Sequence, residues 1–160
     1  RVIQDVASSP LYKNGFLNFF IHTYNDYIIQ FGEKVRPPHA YFRFEGLIID
    51  LFKKKVIKDP KGKALLQVKR GKVKDILNEI GASSAVGFEV DGESISYGQA
   101  AEQIAKEGVF VVGGFPVGNF SEETSSIFSK KFSLSKETME TDTVACRLIY
   151  ELEKILLFKA

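Results

Sequence analysis

The ten residues 109–118 constrain the fold more than any other part of the chain. They read Val-Phe-Val-Val-Gly-Gly-Phe-Pro-Val-Gly, so four apolar residues run directly into a segment with three glycines and one proline. An unbroken, mostly β-branched run is typical of a strand buried on both faces of a parallel sheet. Glycine lets the backbone turn sharply and lie close to another group, because it has no Cβ. Open α/β folds bind ligands at the carboxyl ends of such strands, so the segment predicts a binding loop.

The glycine-rich segment matches neither of the two common phosphate-binding motifs. No Gly-Lys-Ser/Thr follows it, and its spacing is not Gly-x-Gly-x-x-Gly. A tight turn from a strand to a helix would use the same Gly114 and Gly118 without any ligand. Taken alone, the segment indicates a site and names no ligand.

Length and composition are those of one globular domain. The chain has 160 residues, of which 44% are hydrophobic and 26% charged, and we expect one core within residues 1–160. No apolar run approaches the ~20 residues of a membrane helix, so we expect no membrane contact. The single Cys146 and two histidines predict no disulfide, no structural metal and an intracellular, reducing location. The first residues contain no initiator Met and do not resemble a signal peptide, so we expect the chain to begin inside a longer protein.

Charge is unevenly distributed along the chain. Residues 53–74 contain ten Lys or Arg and one acidic residue, whereas residues 81–125 contain seven acidic residues and one Lys. Segregation of this kind is typical of a protein that presents one face to a polyanion. A solvated lysine-rich loop around Asp59 would have the same composition, and that interpretation stays open for the loop taken alone.

Hydrophobic periodicity predicts an α/β fold. The first half is predicted to contain a helix end at residues 1–8, a β-hairpin at 16–24 and 27–31, a helix at 41–55 and a strand at 64–68. The second half is predicted to alternate helices at 73–80, 97–106, 121–129 and 139–158 with strands at 85–90, 109–112 and 132–134. Alternation predicts a mostly parallel sheet with helices on both faces. Residues 16–63 would then form a hairpin and helix extension with a basic surface.

Three pairs of segments, in chain order, carry a family resemblance: residues 9–15 with 20–23, 36–38 with 42–47, and 111–118 with 143–146. The first pair is similar to a Ser-Pro-Leu-Asn-Lys-x-Gly segment and an Ile-His-Thr strand. The second pair is similar to an Arg-x-Pro loop and an Arg-Phe-x-Gly-Leu helix, and the third to a knotted cofactor site. Together they resemble the Nep (Emg) group of SPOUT-class methyltransferases.

The resemblance implies a function and a set of partners. It implies a SPOUT-like fold with a C-terminal trefoil knot in residues 84–160, and a homodimer. It also implies transfer of a methyl group from S-adenosyl-L-methionine, giving S-adenosyl-L-homocysteine, to N(1) of a pseudouridine in small-subunit (16S or 18S) rRNA during ribosome biogenesis. We expect rRNA and other ribosome-assembly factors as partners, and a cytoplasmic location, nucleolar if the source is eukaryotic.

The resemblance also assigns the cofactor-binding residues. Gly113 and Gly118 match the glycines of one knot loop, and Phe88 would supply a third wall. The last knot loop, in which backbone amides and carbonyls hold the adenine, corresponds to Leu134, Ser135, Lys136, Glu137, Thr138 and Met139. The family has Ser-Asn-Tyr-Pro where this chain has Ser-Lys-Glu-Thr at 135–138. A site lined by backbone groups tolerates such a change of side chains.

For RNA, Arg36 and Arg43 match binding arginines of the family, and His39 stands where many members have another Arg. A guanidinium contacts two phosphate oxygens at once and stays charged. Lys13 and the lysines of residues 53–63 would add nonspecific phosphate contacts. A structural ion pair of the arginines with Asp50 or Glu45 is the alternative interpretation. Three aromatic residues, Tyr12, Tyr41 and Phe42, are candidates for stacking on a base or for the core.

No catalytic residue is assigned. The resemblance places a phosphate-binding arginine and an acid in an Arg-Pro-Asp segment upstream of residue 1. We expect His22 to be a hydrogen-bonded core residue and Cys146 to be a small packing residue. Two other functions stay open: a noncatalytic rRNA-binding assembly factor on the same scaffold, and a SPOUT methyltransferase that acts on tRNA.

Overall fold

The computed structural model describes residues 1–115 and 118–158. The chain divides into two compact units. The first consists of Arg1 and Ile3–Ile76, and the second of Val2 and Leu77–Ala160. Among the described residues, no helix combines the length and the apolar character that crossing a bilayer requires.

The chain up to Arg70 forms a four-stranded antiparallel sheet with three helices. These elements are α1 (Val2–Ser8), α2 (Pro10–Lys13), β1 (Phe20–His22), β2 (Tyr27–Phe31), α3 (Tyr41–Lys54), β3 (Val56–Lys58) and β4 (Ala64–Arg70). The strand order is β1-β2-β4-β3, and Ile29 of β2 lies opposite Ile21 and Val68. The predicted hairpin is therefore confirmed.

The first unit has a core between this sheet and α3. Five buried residues form it: Ile29, Phe31, Leu51, Leu66 and Val68. Phe44, Leu47, Ile48 and Phe52 of α3 pack against it. The predicted apolar stripe of α3 is confirmed, since residues three and four positions apart share one helix face.

From Val73 onward, residues 73–115 and 118–158 form a three-stranded parallel sheet and four helices. These elements are α4 (Val73–Ile80), β5 (Ala85–Ser94), α5 (Tyr97–Glu107), β6 (Phe110–Val111), α6 (Glu122–Ser125), β7 (Phe128–Ser133) and α7 (Thr141–Leu156). The strand order is β6-β5-β7, with β5 in the centre. The predicted mostly parallel sheet thus describes only the second unit, because every strand pair in the first is antiparallel.

The predictions missed one strand and placed the end of α6 and the start of β7 at the wrong residues. Strand β3 was missed, because its lysine-rich surroundings hide a short strand that pairing with β4 defines. Helix α6 ends at Ser125 instead of 129, and β7 begins at Phe128 instead of 132. The aromatic ring of Phe128 lies against Gly87, where a Cβ would come within 2.1 Å of the ring. This packing places residues 128–131 in the sheet.

Strand β5 is longer than predicted and is interrupted. Phe88 and Glu93 both lie opposite Phe132 of β7, so the residues between them leave the ladder. Strand β5 rejoins β7 at Glu93, and Gly92 lets the backbone pass close to Phe132 just before that point. A Cβ at Gly92 would be 2.6 Å from the backbone carbon of Phe132, so a larger residue would not fit. Asp91, Gly92, Glu93 and Ser94 are not apolar, so hydrophobic periodicity could not identify them as part of a strand. The predicted strand therefore ended at residue 90.

Candidate cofactor site and nucleic-acid interface

The segments after β6 and after β7 meet in the second unit. Both strands run parallel to the central β5, so both segments leave the same edge of the sheet. A hydrogen bond joins them: the Thr141 hydroxyl at the start of α7 donates to the Gly113 carbonyl, at 2.7 Å. The contact joins Gly113, a predicted cofactor residue, to the start of α7, two residues beyond the predicted segment 134–139. Sequence reasoning missed Thr141, since nothing in the pattern around it indicates a contact 28 residues away.

Glycine has a structural reason at two positions of the first segment: a close side chain at Gly113 and the backbone angle at Gly118. The ring of Phe115 lies against Gly113, where a Cβ would be 2.7 Å from the ring tip. Gly118 has a φ of +107°, which side chains rarely adopt. Pro116 and Val117, between these positions, lie outside the described residues.

Phe115 starts a row of aromatic rings in the second unit. Its ring contacts Phe120 edge to face, with centroids 5.2 Å apart, and Phe120 contacts Phe128 in the same manner at 5.1 Å. Phe128 belongs to a buried cluster with Leu77 and Ala85. The row anchors the loop to the core, while Phe115 itself stays 40% exposed.

The segment 134–139 offers free peptide groups. Ser133 donates to the Ser135 carbonyl at 3.1 Å, and the Glu137 amide donates to the Ser135 hydroxyl at 3.0 Å. Within the described residues, the backbone amides of Lys136 and Thr138 form no hydrogen bond. A purine ring needs such donors and acceptors, so the segment fits the predicted adenosyl cofactor. The side chains at 136–138 are exposed, which is consistent with a contact made through the backbone.

Phe88 lies between the strands that lead into the two segments. It is half-buried, stands opposite Phe132 of β7, and follows Gly87, which pairs with Val111 at the end of β6. This position is compatible with the predicted role of Phe88 as a third wall of the cofactor site. A depression of about 370 Å³ lies nearby and is lined by Glu89, Asp91, Asn119, Phe120, Glu122, Ser125, Ser126 and Lys131. None of the predicted cofactor residues lines it.

In the first unit, two side chains hold the segment between β2 and α3. The Tyr12 hydroxyl donates to the Val35 carbonyl at 2.5 Å and lies 3.3 Å from the Gly32 carbonyl. The Gln4 side-chain amide donates to the Pro38 carbonyl. Tyr12 is 1% exposed, so of the two interpretations left open for it, a core residue is the correct one. Burial raises the pKa of the Tyr12 hydroxyl above its usual 10.0, so the hydroxyl keeps its proton to a higher pH than a solvent-exposed tyrosine does.

The predicted RNA-binding residues are all exposed side chains of the first unit: Lys13, Arg36, His39 and Arg43. Within the described residues, neither arginine forms an ion pair with Glu45 or Asp50, so the alternative of a structural ion pair was wrong. The positions of these cations are compatible with binding of an anion.

Arg43 stands in an electrostatically unfavourable place for a cation. It lies in the first turn of α3, which contains no acidic residue and has no side-chain cap. The amino end of a helix carries a partial positive charge, which disfavours a nearby cation by roughly 0.3–1 kcal/mol. In the described part of the chain, no contact of the Arg43 side chain stabilises the fold. A phosphate bound at the amino end of α3 would pair with the Arg43 guanidinium and would make a cation favourable there.

The EMG1/NEP1 methyltransferase family model matches residues 2–153. The chain belongs to this family. It is 34% identical over 146 residues to the ribosomal RNA small subunit methyltransferase Nep1 of Thermococcus kodakarensis, covering 90% of this chain and 64% of that protein. It is 28% identical over 156 residues to the Thermoplasma volcanium protein of the same name, covering 97% and 68%.

A solved structure of the family has a similar fold. The crystal structure of Archaeoglobus fulgidus Nep1 bound to S-adenosylhomocysteine superimposes with a TM-score of 0.79 at 27% identity. The match covers 96% of this chain and 68% of that one. The chain thus spans about two thirds of the length of these EMG1/NEP1 relatives.

His22 and Cys146 are two further residues of this EMG1/NEP1 chain whose side chains could act as a base or a nucleophile. His22 is hydrogen-bonded as predicted, with Nε2 2.9 Å from Asp26 Oδ1, but it is half-buried in the hairpin rather than in the core. Cys146 is exposed, so its predicted packing role was wrong: the buried positions of α7 include its neighbour Ala145 on another face. The described residues contain no cluster of three or more His, Cys, Asp or Glu suited to a metal ion.

Proposed function

We propose that this chain is part of an S-adenosylmethionine-dependent methyltransferase that modifies N(1) of a pseudouridine in small-subunit rRNA. The observation that supports the proposal is the hydrogen bond from Thr141 to Gly113, which joins the segments after β6 and after β7 at one sheet edge, in a chain of the EMG1/NEP1 family. The similar Nep1 structure is bound to S-adenosylhomocysteine, the product of such a cofactor.

The second unit would hold the cofactor, which supplies an electrophilic methyl group when bound. Gly113 and Gly118 would let the backbone approach the adenosyl group, and Phe88 would close one side. The peptide groups of residues 134–139 would fix the adenine edge. The proposal includes a trefoil knot formed by these segments. Thr141 would keep the two segments at a constant separation through its bond to Gly113.

The first unit would bind the rRNA substrate, with a second copy of the chain completing a homodimer. Arg36, Arg43, His39 and Lys13 would contact phosphates, a mode that positions RNA without reading its sequence. Methyl transfer depends chiefly on holding the nucleophilic nitrogen in line with the methyl group. The described residues would therefore contribute by positioning, and none of them is proposed as a general base.

A labelling experiment tests the proposal. The full-length protein is incubated with radiolabelled S-adenosylmethionine and small-subunit rRNA hairpins that carry pseudouridine or uridine at the target. We expect label only in the pseudouridine hairpin. Equal labelling of both hairpins, or labelling of neither, would contradict the proposed reaction.

Two binding measurements separate the alternatives. Calorimetry that detects rRNA binding but no S-adenosylhomocysteine binding would support the noncatalytic assembly factor, which the altered residues 135–138 favour. Competition by tRNA fragments at lower concentration than rRNA fragments would support a tRNA methyltransferase.

A further inference from the structure

We propose that Tyr41 and Phe42 form an aromatic platform of two separate rings, each of which stacks on an unpaired base of the bound RNA. The proposal rests on the proposed function, because it names how the single-stranded part of the RNA is held by the first unit. The aromatic platform is defined as these two side chains at the start of α3.

The two rings have no structural role in the first unit. Tyr41 is 77% exposed and Phe42 is 72% exposed, and neither packs against the buried cluster of this unit. The apolar stripe of α3 that contacts the core begins only at Phe44. Two adjacent large aromatic side chains left in water are unfavourable, since burying such a ring stabilises a fold. Their exposure therefore points to a partner.

The charges around the platform indicate which partner. Arg36 and His39 precede it and Arg43 follows it, and all three are exposed. Within the described residues, neither arginine has an ion-pair partner. Cations interleaved with exposed aromatic rings are typical of surfaces that hold single-stranded nucleic acid, with phosphates on the cations and base faces on the rings. A membrane or acidic-peptide partner would use the cations and leave the flat rings unexplained.

The segment that leads into the platform is held in place. Tyr12 and Gln4 bind carbonyls of Val35 and Pro38, on either side of Arg36. A surface that is ordered before binding loses less conformational entropy on binding. The cations and rings are thus positioned before RNA arrives.

The structure also predicts which RNA is preferred. In an A-form duplex the base faces are stacked on each other and cannot reach an aromatic ring, whereas loop bases can unstack. The platform should therefore discriminate between a hairpin loop and a fully paired duplex. The cations alone would bind both.

The test uses a small-subunit rRNA hairpin with 2-aminopurine at one loop position, and a fully paired RNA of equal length. Tyr41→Ala and Phe42→Ala should each weaken loop binding by roughly 5- to 150-fold, the range for one stacked base, and one of the two should abolish 2-aminopurine quenching. Duplex binding and the slope of log K against log salt should stay unchanged. Phe42→Trp, which keeps an aromatic ring at this position, should retain the 2-aminopurine quenching and the loop affinity of the wild-type protein.

The matched control is Tyr24→Ala. Tyr24 is a fully exposed aromatic residue of the same unit, at 102%, in the turn between β1 and β2. Strand β2 separates that turn from the segment with Arg36 by about 14 Å, at a rise of ~3.4 Å per residue. Tyr24→Ala should bind RNA as wild type does.

Three outcomes would overturn the aromatic platform. The first is wild-type loop affinity in both alanine variants, and the second is an equal loss in Tyr24→Ala. Either result, with wild-type rRNA binding intact, leaves the proposed function standing. The third is a wild-type protein that binds no rRNA hairpin, which would overturn the proposed function as well. Unchanged circular dichroism and S-adenosylhomocysteine affinity show that the variants fold.

Discussion

The two units of this chain differ in charge and in the groups they offer to a ligand. Residues 1–76 contain 15 Lys or Arg and seven Asp or Glu, a net charge of +8, whereas residues 77–160 contain seven and 13, a net charge of −6. The first unit presents cationic and aromatic side chains, and the second presents glycines and free peptide groups. Under the proposed function, the first unit would bind a large polyanion through side chains, and the second would bind a small ligand through its backbone.

This difference teaches where substitutions act. In the first unit, exposed side chains can change without disturbing the sheet, so binding and stability are separable. In the second unit, the candidate site depends on close backbone approach, so one added methyl group can disturb the fold and the site together. Substitutions in each unit therefore test whether binding and stability change separately or together.

The largest effect is expected for Gly92→Ala in the second unit. The added Cβ would lie 2.6 Å from the backbone carbon of Phe132, which cannot move away as a flexible side chain would. We expect the free energy of unfolding to fall by roughly 3 kcal/mol, at the upper end of the usual range for an overpacked position. Urea denaturation measures it.

Gly114→Ala is the matched control for that substitution. Among the atoms of the residues that the structure describes, none lies within 4 Å of a Cβ built at Gly114, and the φ of Gly114 is not in the left-handed region. Its free energy of unfolding should change by less than about 0.5 kcal/mol. Equal losses in the two variants would show that close backbone approach is not what distinguishes Gly92.

Arg43→Gln should separate binding from stability in the first unit. Loss of one phosphate contact should weaken rRNA binding about tenfold and reduce the salt slope by about 1. Removing a cation from the positive end of α3 should raise the free energy of unfolding by roughly 0.3–1 kcal/mol. Titrations at several salt concentrations and thermal unfolding measure the two effects.

Arg70→Gln provides the contrast, because the Arg70 guanidinium lies 4.7 Å from the centre of the Tyr27 ring. Such a contact stabilises a fold by about 0.5–1 kcal/mol at an exposed site, so this variant should be less stable than wild type. If Arg43→Gln is destabilised as well, Arg43 has a structural role that the contacts do not reveal.

A proline at residue 136 would test whether the second unit binds through its backbone. Lys136→Ala should leave S-adenosylhomocysteine affinity within about twofold, whereas Lys136→Pro, which lacks the amide, should weaken it by up to about tenfold, as for one hydrogen bond of ~1.4 kcal/mol. Calorimetry measures both. A greater loss in the alanine variant would mean that the Lys136 side chain, rather than its amide, contacts the cofactor.

The sequence predicted those parts of the fold that depend on local pattern. Helix α3 and the hairpin were predicted from the spacing of apolar residues, and both are present. Strand β3 and the interruption of β5 could not be predicted, because pairing with a distant strand defines them.

The same distinction holds for the candidate sites. The glycines of the cofactor segment were visible in the sequence, but the bond from Thr141 to Gly113 depends on the order of three strands. Tyr12 and Tyr41 are both aromatic residues at the start of a helix, yet one is buried and the other exposed. Local pattern cannot separate them, since the segment after β2 covers only Tyr12.

The smallest effect is expected for Tyr12→Phe, which keeps the ring contact with Phe19 and removes the bond to Val35. At pH 7 the variant should lose about 1 kcal/mol of unfolding free energy, because a buried carbonyl is left without its donor. Tyr27→Phe is the control, since the Tyr27 hydroxyl forms no hydrogen bond among the described residues.

The pH dependence of that difference follows from the raised pKa of Tyr12. The folded state holds the hydroxyl proton more tightly than the unfolded state, whose pKa is near 10.0. The stabilising contribution is therefore fully present below pH 10 and declines as pH rises above it. Denaturation between pH 7 and pH 11 should show the advantage of wild type over Tyr12→Phe shrinking above pH 10. An advantage that grows in this range would mean that the ionised hydroxyl is the form the fold favours.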